Sequence, residues 1–99
     1  MIENTPKGHI TTHVLKVSAR SNPNSVAGAL AAVLRERPDA ELQAVGAGAI
    51  NQAVKAIAIA RTYLKEGGLS LVCVPSFINV EIHEKERTGI SLAVERRTV

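Results

Sequence analysis

Ninety-nine residues with a net charge of +3, 45% apolar and 21% charged, make one globular domain with a single core. One cysteine, Cys73, excludes an intramolecular disulfide, and no apolar run reaches the roughly 20 residues a membrane helix needs. Tyr63 and Phe77 are the sole aromatics, so the core must be built from Val, Ile, Leu and Ala, and base stacking on a sheet surface is disfavoured.

Met1 to Thr11 mixes Pro6, Gly8 and polar residues and reads as a flexible extension, residues 1–11, ahead of a single domain, residues 12–99. It lacks the basic-then-apolar pattern of a secretory signal, so the default expectation is a cytoplasmic protein. Thr12 to Ser18 carries β-branched residues in rough alternation and predicts a first strand. Asn22 before Pro23 is a helix start, a capping side chain followed by a residue suited to the first helical position. That helix runs to about Glu36 and is ended by Pro38, with Val26, Leu30, Val33 and Leu34 on one face. Ala40 to Val45 alternates and predicts a second strand.

Gly46 and Gly48 then turn the chain into a long second helix, Ala49 to Leu64, which carries two apolar rows. One row holds Ile50, Val54, Ile57, Arg61 and Leu64; the other holds Ala49, Ala53, Ala56, Ala60 and Tyr63. A surface helix normally shows one apolar stripe. The expectation is therefore a homodimer, with Ile50, Ala53, Val54, Ala56, Ile57 and Ala60 in the interface. Gly67 and Gly68 stop the helix. Leu69 to Val74 reads as a central strand interrupted at Pro75, alternation resumes from Phe77 to Ile82, His83 to Glu86 forms a polar turn, and Arg87 to Arg96 returns. The predicted class is α+β: a βαβαββ two-layer sandwich, two helices on one face of a four-stranded mixed sheet.

The chemistry-bearing residues do not compose a catalytic set, and the expectation is a protein that is no enzyme and uses no cofactor. Cys73 lies in the most apolar strand, where cysteine behaves as a small hydrophobe. His9, His13 and His83 are not in metal-ligand spacing, so no metal site is expected. Gly46 and Gly48, between a strand and a helix, permit two readings: a phosphate-binding turn offering backbone amides, or a tight turn that brings helix and sheet together. The dinucleotide fingerprint is absent, because Asn51 stands where its third glycine belongs. Cations are more suggestive. Lys16 and Arg20 end the first strand, Lys55 and Arg61 lie on the second helix, and Lys85 and Arg87 lie in the hairpin. Duplicated in a dimer, they make a surface suited to a phosphate backbone, with little sequence selectivity.

Two stretches, Val14-Leu-Lys-Val-Ser-Ala-Arg-Ser-Asn-Pro-Asn-Ser-Val-Ala-Gly-Ala-Leu30 and Ala44-Val-Gly-Ala-Gly-Ala-Ile-Asn-Gln-Ala-Val-Lys-Ala56, resemble the stage V sporulation protein S family of small bacterial regulators. The resemblance spans about Val14 to Arg96. More distantly, Ala-Ile-Asn-Gln-Ala-Val and the helix after Asn24 are similar to Alba-type chromatin proteins. Those resemblances imply a βαβαββ fold, a dimer built around the second helix, and a nucleic-acid-binding regulator of sporulation, either DNA or RNA being the ligand. They also imply a role for Arg20, which occupies the loop where Alba proteins place a DNA-touching lysine, and they align Arg61 with a basic position late in the second helix. The sequence departs from the Alba pattern at Gly46-Ala-Gly48, where arginines flank one glycine, and at Gln52, which replaces a basic residue. A regulatory protein-interaction module of the same fold, without nucleic-acid contact, is the alternative.

Overall fold

The computed structural model describes residues 13–98; the expected extension, residues 1–11, lies outside them. In chain order the elements are β1 (Val14–Val17), α1 (Pro23–Glu36), β2 (Asp39–Ala44), α2 (Ala47–Lys65), β3 (Leu69–Ile82) and β4 (Lys85–Thr98). This is the expected βαβαββ order. Asn22 caps α1 as its side-chain chemistry dictates: its carboxamide oxygen accepts from the backbone N–H groups of Asn24 at 2.8 Å and Ser25 at 3.4 Å. The far end of α1 is held from the sheet. Arg96 on β4 donates through Nη1 to the carbonyl oxygens of Leu34 at 2.8 Å and Arg35 at 3.1 Å, where a cation is favoured by the helix dipole.

The sheet order is β1-β2-β4-β3, with β1 and β2 parallel and the other pairs antiparallel. Leu15, Val17, Ala40, Leu42, Leu71, Leu92 and Val94 face the two helices and join Leu30, Leu34 and Leu64 in one core. Both helices therefore lie on one face. The other face carries the alternate residues in rows, among them Val14, Glu41, Ala93 and Val74, then Lys16, Gln43, Ser91 and Ser76. Its centre is polar and acidic: the Glu41 carboxylate accepts from the Ser91 hydroxyl at 2.6 Å and from the Gln43 amide at 3.0 Å.

Three expectations need correction. Leu69 to Val74 is not a central strand: β3 is an edge, and it runs through Pro75 without a break. The reason is in the hairpin. Ile82 pairs with Lys85 across a two-residue turn, His83 and Glu84, both with left-handed φ (52° and 64°). Counting back in twos from that hydrogen-bonded pair, the odd-numbered residues of β3 turn their amides outward, so the missing N–H of Pro75 falls on the open edge. Secondly, the turn is His83-Glu84 and not His83 to Glu86, because cross-strand pairing continues to the last possible pair. Thirdly, Ala53, Ala56 and Ala60 have no exposed surface. They seat α2 against its own chain, so their place in a dimer interface is withdrawn. The sheet and α1 cover the small row within one chain.

On the hairpin side of Ile90, the last β4 residue paired with β2, strands β3 and β4 continue as an arm past the ends of β1 and β2. Gly89 is where it touches: a Cβ at this position would stand 2.8 Å from the Ala44 carbonyl oxygen and 3.0 Å from the Val45 side chain. Gly89→Ala is expected to lower stability by about 1–3 kcal/mol, the range for overpacking against atoms that cannot retreat. A urea midpoint within error of the parent would show that the contact is slack.

Candidate functional site

The basic residues at the carboxyl ends of β1 and β2 are held by a network that begins in the β1–α1 loop. Ser18 and Ser21 lock that loop: the Ser18 amide donates to Ser21 Oγ at 2.9 Å, the Arg20 amide to Ser18 Oγ at 3.2 Å, and the Ser21 amide to the Ser18 carbonyl at 3.0 Å. The turn that results presents Arg20 to solvent. Gln52, on α2, donates to the Ser21 carbonyl at 2.9 Å and ties the loop to the helix. In the sequence Gln52 registered only as a missing cation. Its structural role, bracing Arg20 from a different element, has no local signature and could be found only once loop and helix were juxtaposed.

Gly46 and Gly48 sit beside this loop, each for its own reason. Gly46 caps α2 with φ 94° and ψ 155°, a region that only glycine occupies without strain. Gly48 lies within the first turn of α2, not before it, and a Cβ there would stand 3.0 Å from the Ala19 side chain. Backbone conformation accounts for the first and close approach of helix and loop for the second. No side chain caps this helix end, so its first amides bring partial positive charge close to the β1–α1 loop, where Gly48 meets Ala19.

The expected cations divide into groups. Lys16 projects from the open face of β1 opposite Gln43. Lys85 and Arg87 pair across the arm with Ile82 and Val80 and share their face. Together with Arg20 these residues belong to one end of the molecule. Glu81 and Glu86, paired with each other, occupy the opposite face of the arm, so the arm has a basic side and an acidic side. Lys55 is exposed on α2, seven residues or roughly 10 Å along the axis from Gly48. Arg61 is apart from the rest. It lies about 20 Å down α2, where its Nε donates to Ser70 Oγ at 3.3 Å and where, with Thr62, Lys65 and Leu69, it lines a separate hollow of about 250 Å³.

Of the residues expected on a dimer surface, Ile50 and Ile57 are half-buried and Val54 is 51% exposed. Phe77, which sequence reasoning left unassigned, is 80% exposed on the same face of the sheet as the helices. Its register, level with Ile90 and Ala44, sets it toward the end of the sheet where α2 begins. Among the described residues no three His, Cys, Asp or Glu side chains are grouped to hold a metal ion, and no helix is long and apolar enough to cross a membrane.

Residues 13–97 match the family model described as stage V sporulation protein S (SpoVS), and the chain belongs to that family of small sporulation-related proteins.

Cys73 packs against the core from β3, and burial pushes its thiol above the ordinary value. As pH rises, the unfolded thiol ionises first. The stability this burial contributes is intact below the unfolded pKa and lost as pH climbs through the folded one. Alkylation by iodoacetamide at pH 8 should accordingly be slower in the folded than in the urea-unfolded chain. Equal rates would place the thiol in solvent.

Proposed function

We propose that this member of the family is a dimeric regulator that binds nucleic acid through its phosphate backbone, at the end of the domain built from the Arg20 turn, the start of α2 and the basic side of the arm. The observation that carries this reading is the bracing of Arg20. The hydrogen-bonded loop that carries Arg20, tied by Gln52 to an uncapped helix start, fixes the backbone from which its exposed guanidinium would grip a phosphate group with paired N–H donors. Lys16, Lys85 and Arg87 extend the same positive field along the arm end of the open sheet face, whereas Glu41 and Glu95 place negative charge nearer its centre. Backbone contacts of this kind position a nucleic acid without reading its sequence. Arg61, at the far end of α2, is left out of this surface.

Dimerisation would use the apolar side groups that remain outside the core. Val54 and Phe77, with the half-buried Ile50 and Ile57 beside Val54 on α2, offer a surface on the helix side of the sheet. Val54→Glu places a charge in that surface and should convert the protein to monomer by sedimentation at micromolar concentration, with the fold retained. A wild type already monomeric at that concentration overturns the dimer.

For the nucleic-acid reading, Arg20→Ala removes one contact from each protomer. Affinity should fall alike for unrelated sequences, and the slope of log K against log salt should shrink by about two. Wild-type protein that fails to bind any nucleic acid at about 50 mM salt, where charge contacts are strongest, would leave the protein-interaction module as the function of this fold.

A further inference from the structure

Between the arm and the ends of β1 and β2 lies a groove of about 350 Å³ that borders the backbone-binding surface at Lys16. Its walls are unlike in character. Val80 and Ile82 on the arm and Val17, Ala19, Ala44 and Val45 opposite them are apolar, Lys16, Ser18 and Gln43 supply an amine, a hydroxyl and a carboxamide, and Glu81 lines the arm wall between the two aliphatics. Lys16 has no ion-pair partner among the described residues. The nearest open-face carboxylate, on Glu41, is already engaged by Ser91 and Gln43. Gln43 gives its amide N–H to Glu41, which leaves its carbonyl oxygen as an acceptor. The wall formed by Lys16 to Ala19 runs directly into the turn that carries Arg20.

We infer that this groove seats one unstacked base of a single-stranded nucleic acid, held between the arm and the β1–β2 end, with the adjoining phosphates on Lys16 and Arg20. The inference rests on the nucleic-acid reading above and assigns it a substrate class. Charge complementarity and continuity argue for this occupant. A base is flat, apolar on its faces and polar at its edge, which matches aliphatic walls with a free acceptor, and it is covalently joined to the anion that the neighbouring cations attract. A duplex can use Arg20, Lys85 and Arg87, but its bases are stacked and paired and cannot enter. The arm supplies one wall of the groove, and Gly89 allows it to approach closely enough to do so.

The test compares a single-stranded oligothymidylate of about 16 nucleotides with a duplex of the same length, by anisotropy at fixed salt. Wild type should prefer the single strand. Val80→Phe, which fills the groove, should weaken single-strand binding by about tenfold, in the range for expelling one seated base, and leave the duplex unaffected; Arg20→Ala should weaken both. Independently of any variant, titration of thymidine monophosphate into the wild type should shift the methyl resonances of Val45, Val80 and Ile82. Equal affinity for the two forms, an inert Val80→Phe, or unmoved methyl resonances overturn the seated base while Arg20→Ala still upholds backbone binding. Absence of binding to both forms overturns the nucleic-acid reading itself, and the inference with it.

Discussion

The distance between α2 and the layer beneath it governs everything else in this domain. Ala49, Ala53, Ala56 and Ala60 are buried along one side of the helix, and side chains this small let it settle close to the sheet and to α1. Because α2 sits low, its first turn meets the β1–α1 loop, with Gly48 against Ala19. Because they meet, Gln52 can reach the Ser21 carbonyl. A larger residue anywhere in that row would lift the helix, break the brace and release Arg20. A close-packed interior thus acts on an exposed charge two elements away, as interiors that cannot flow are bound to do.

Charge is distributed with the same dependence on architecture. A net charge of +3 says little by itself, but strand alternation sorts the charges onto faces. In the arm, Lys85 and Arg87 fall on one side and Glu81 and Glu86 on the other because successive residues of a strand point in opposite directions. On the open sheet face the Glu41 carboxylate accepts hydrogen bonds from a serine and a glutamine, and Lys16 forms no ion pair with it.

Much of this was readable from the residues. Asn22-Pro23, Pro38 and Gly67-Gly68 punctuate the helices where the structure has their ends, because caps and breakers act locally. The errors came where the cause was not local. Pro75 looked like a break, yet whether a proline interrupts a strand depends on which neighbour its missing donor would have faced. The alanine row looked like a surface in search of a partner, since periodicity identifies a face without saying what covers it. Arg20 was legible as a loop cation; its brace was not, because Gln52 lies 31 residues away in the chain. The groove joins residues from β1, β2 and the arm, and no window along the sequence contains them all.

The pairing of β3 with β4 has a bearing on how such a domain can diverge. From Leu69 opposite Thr98 to Ile82 opposite Lys85 the register is continuous, with no bulge to absorb a slip. A single inserted residue in either strand would turn every side chain beyond it to the other face, exchanging the Val80–Arg87 side for the Glu81–Glu86 side. Lengthening the arm by one pleat on each strand keeps its basic and acidic sides apart, whereas a single added residue keeps them only if it is taken up as a bulge.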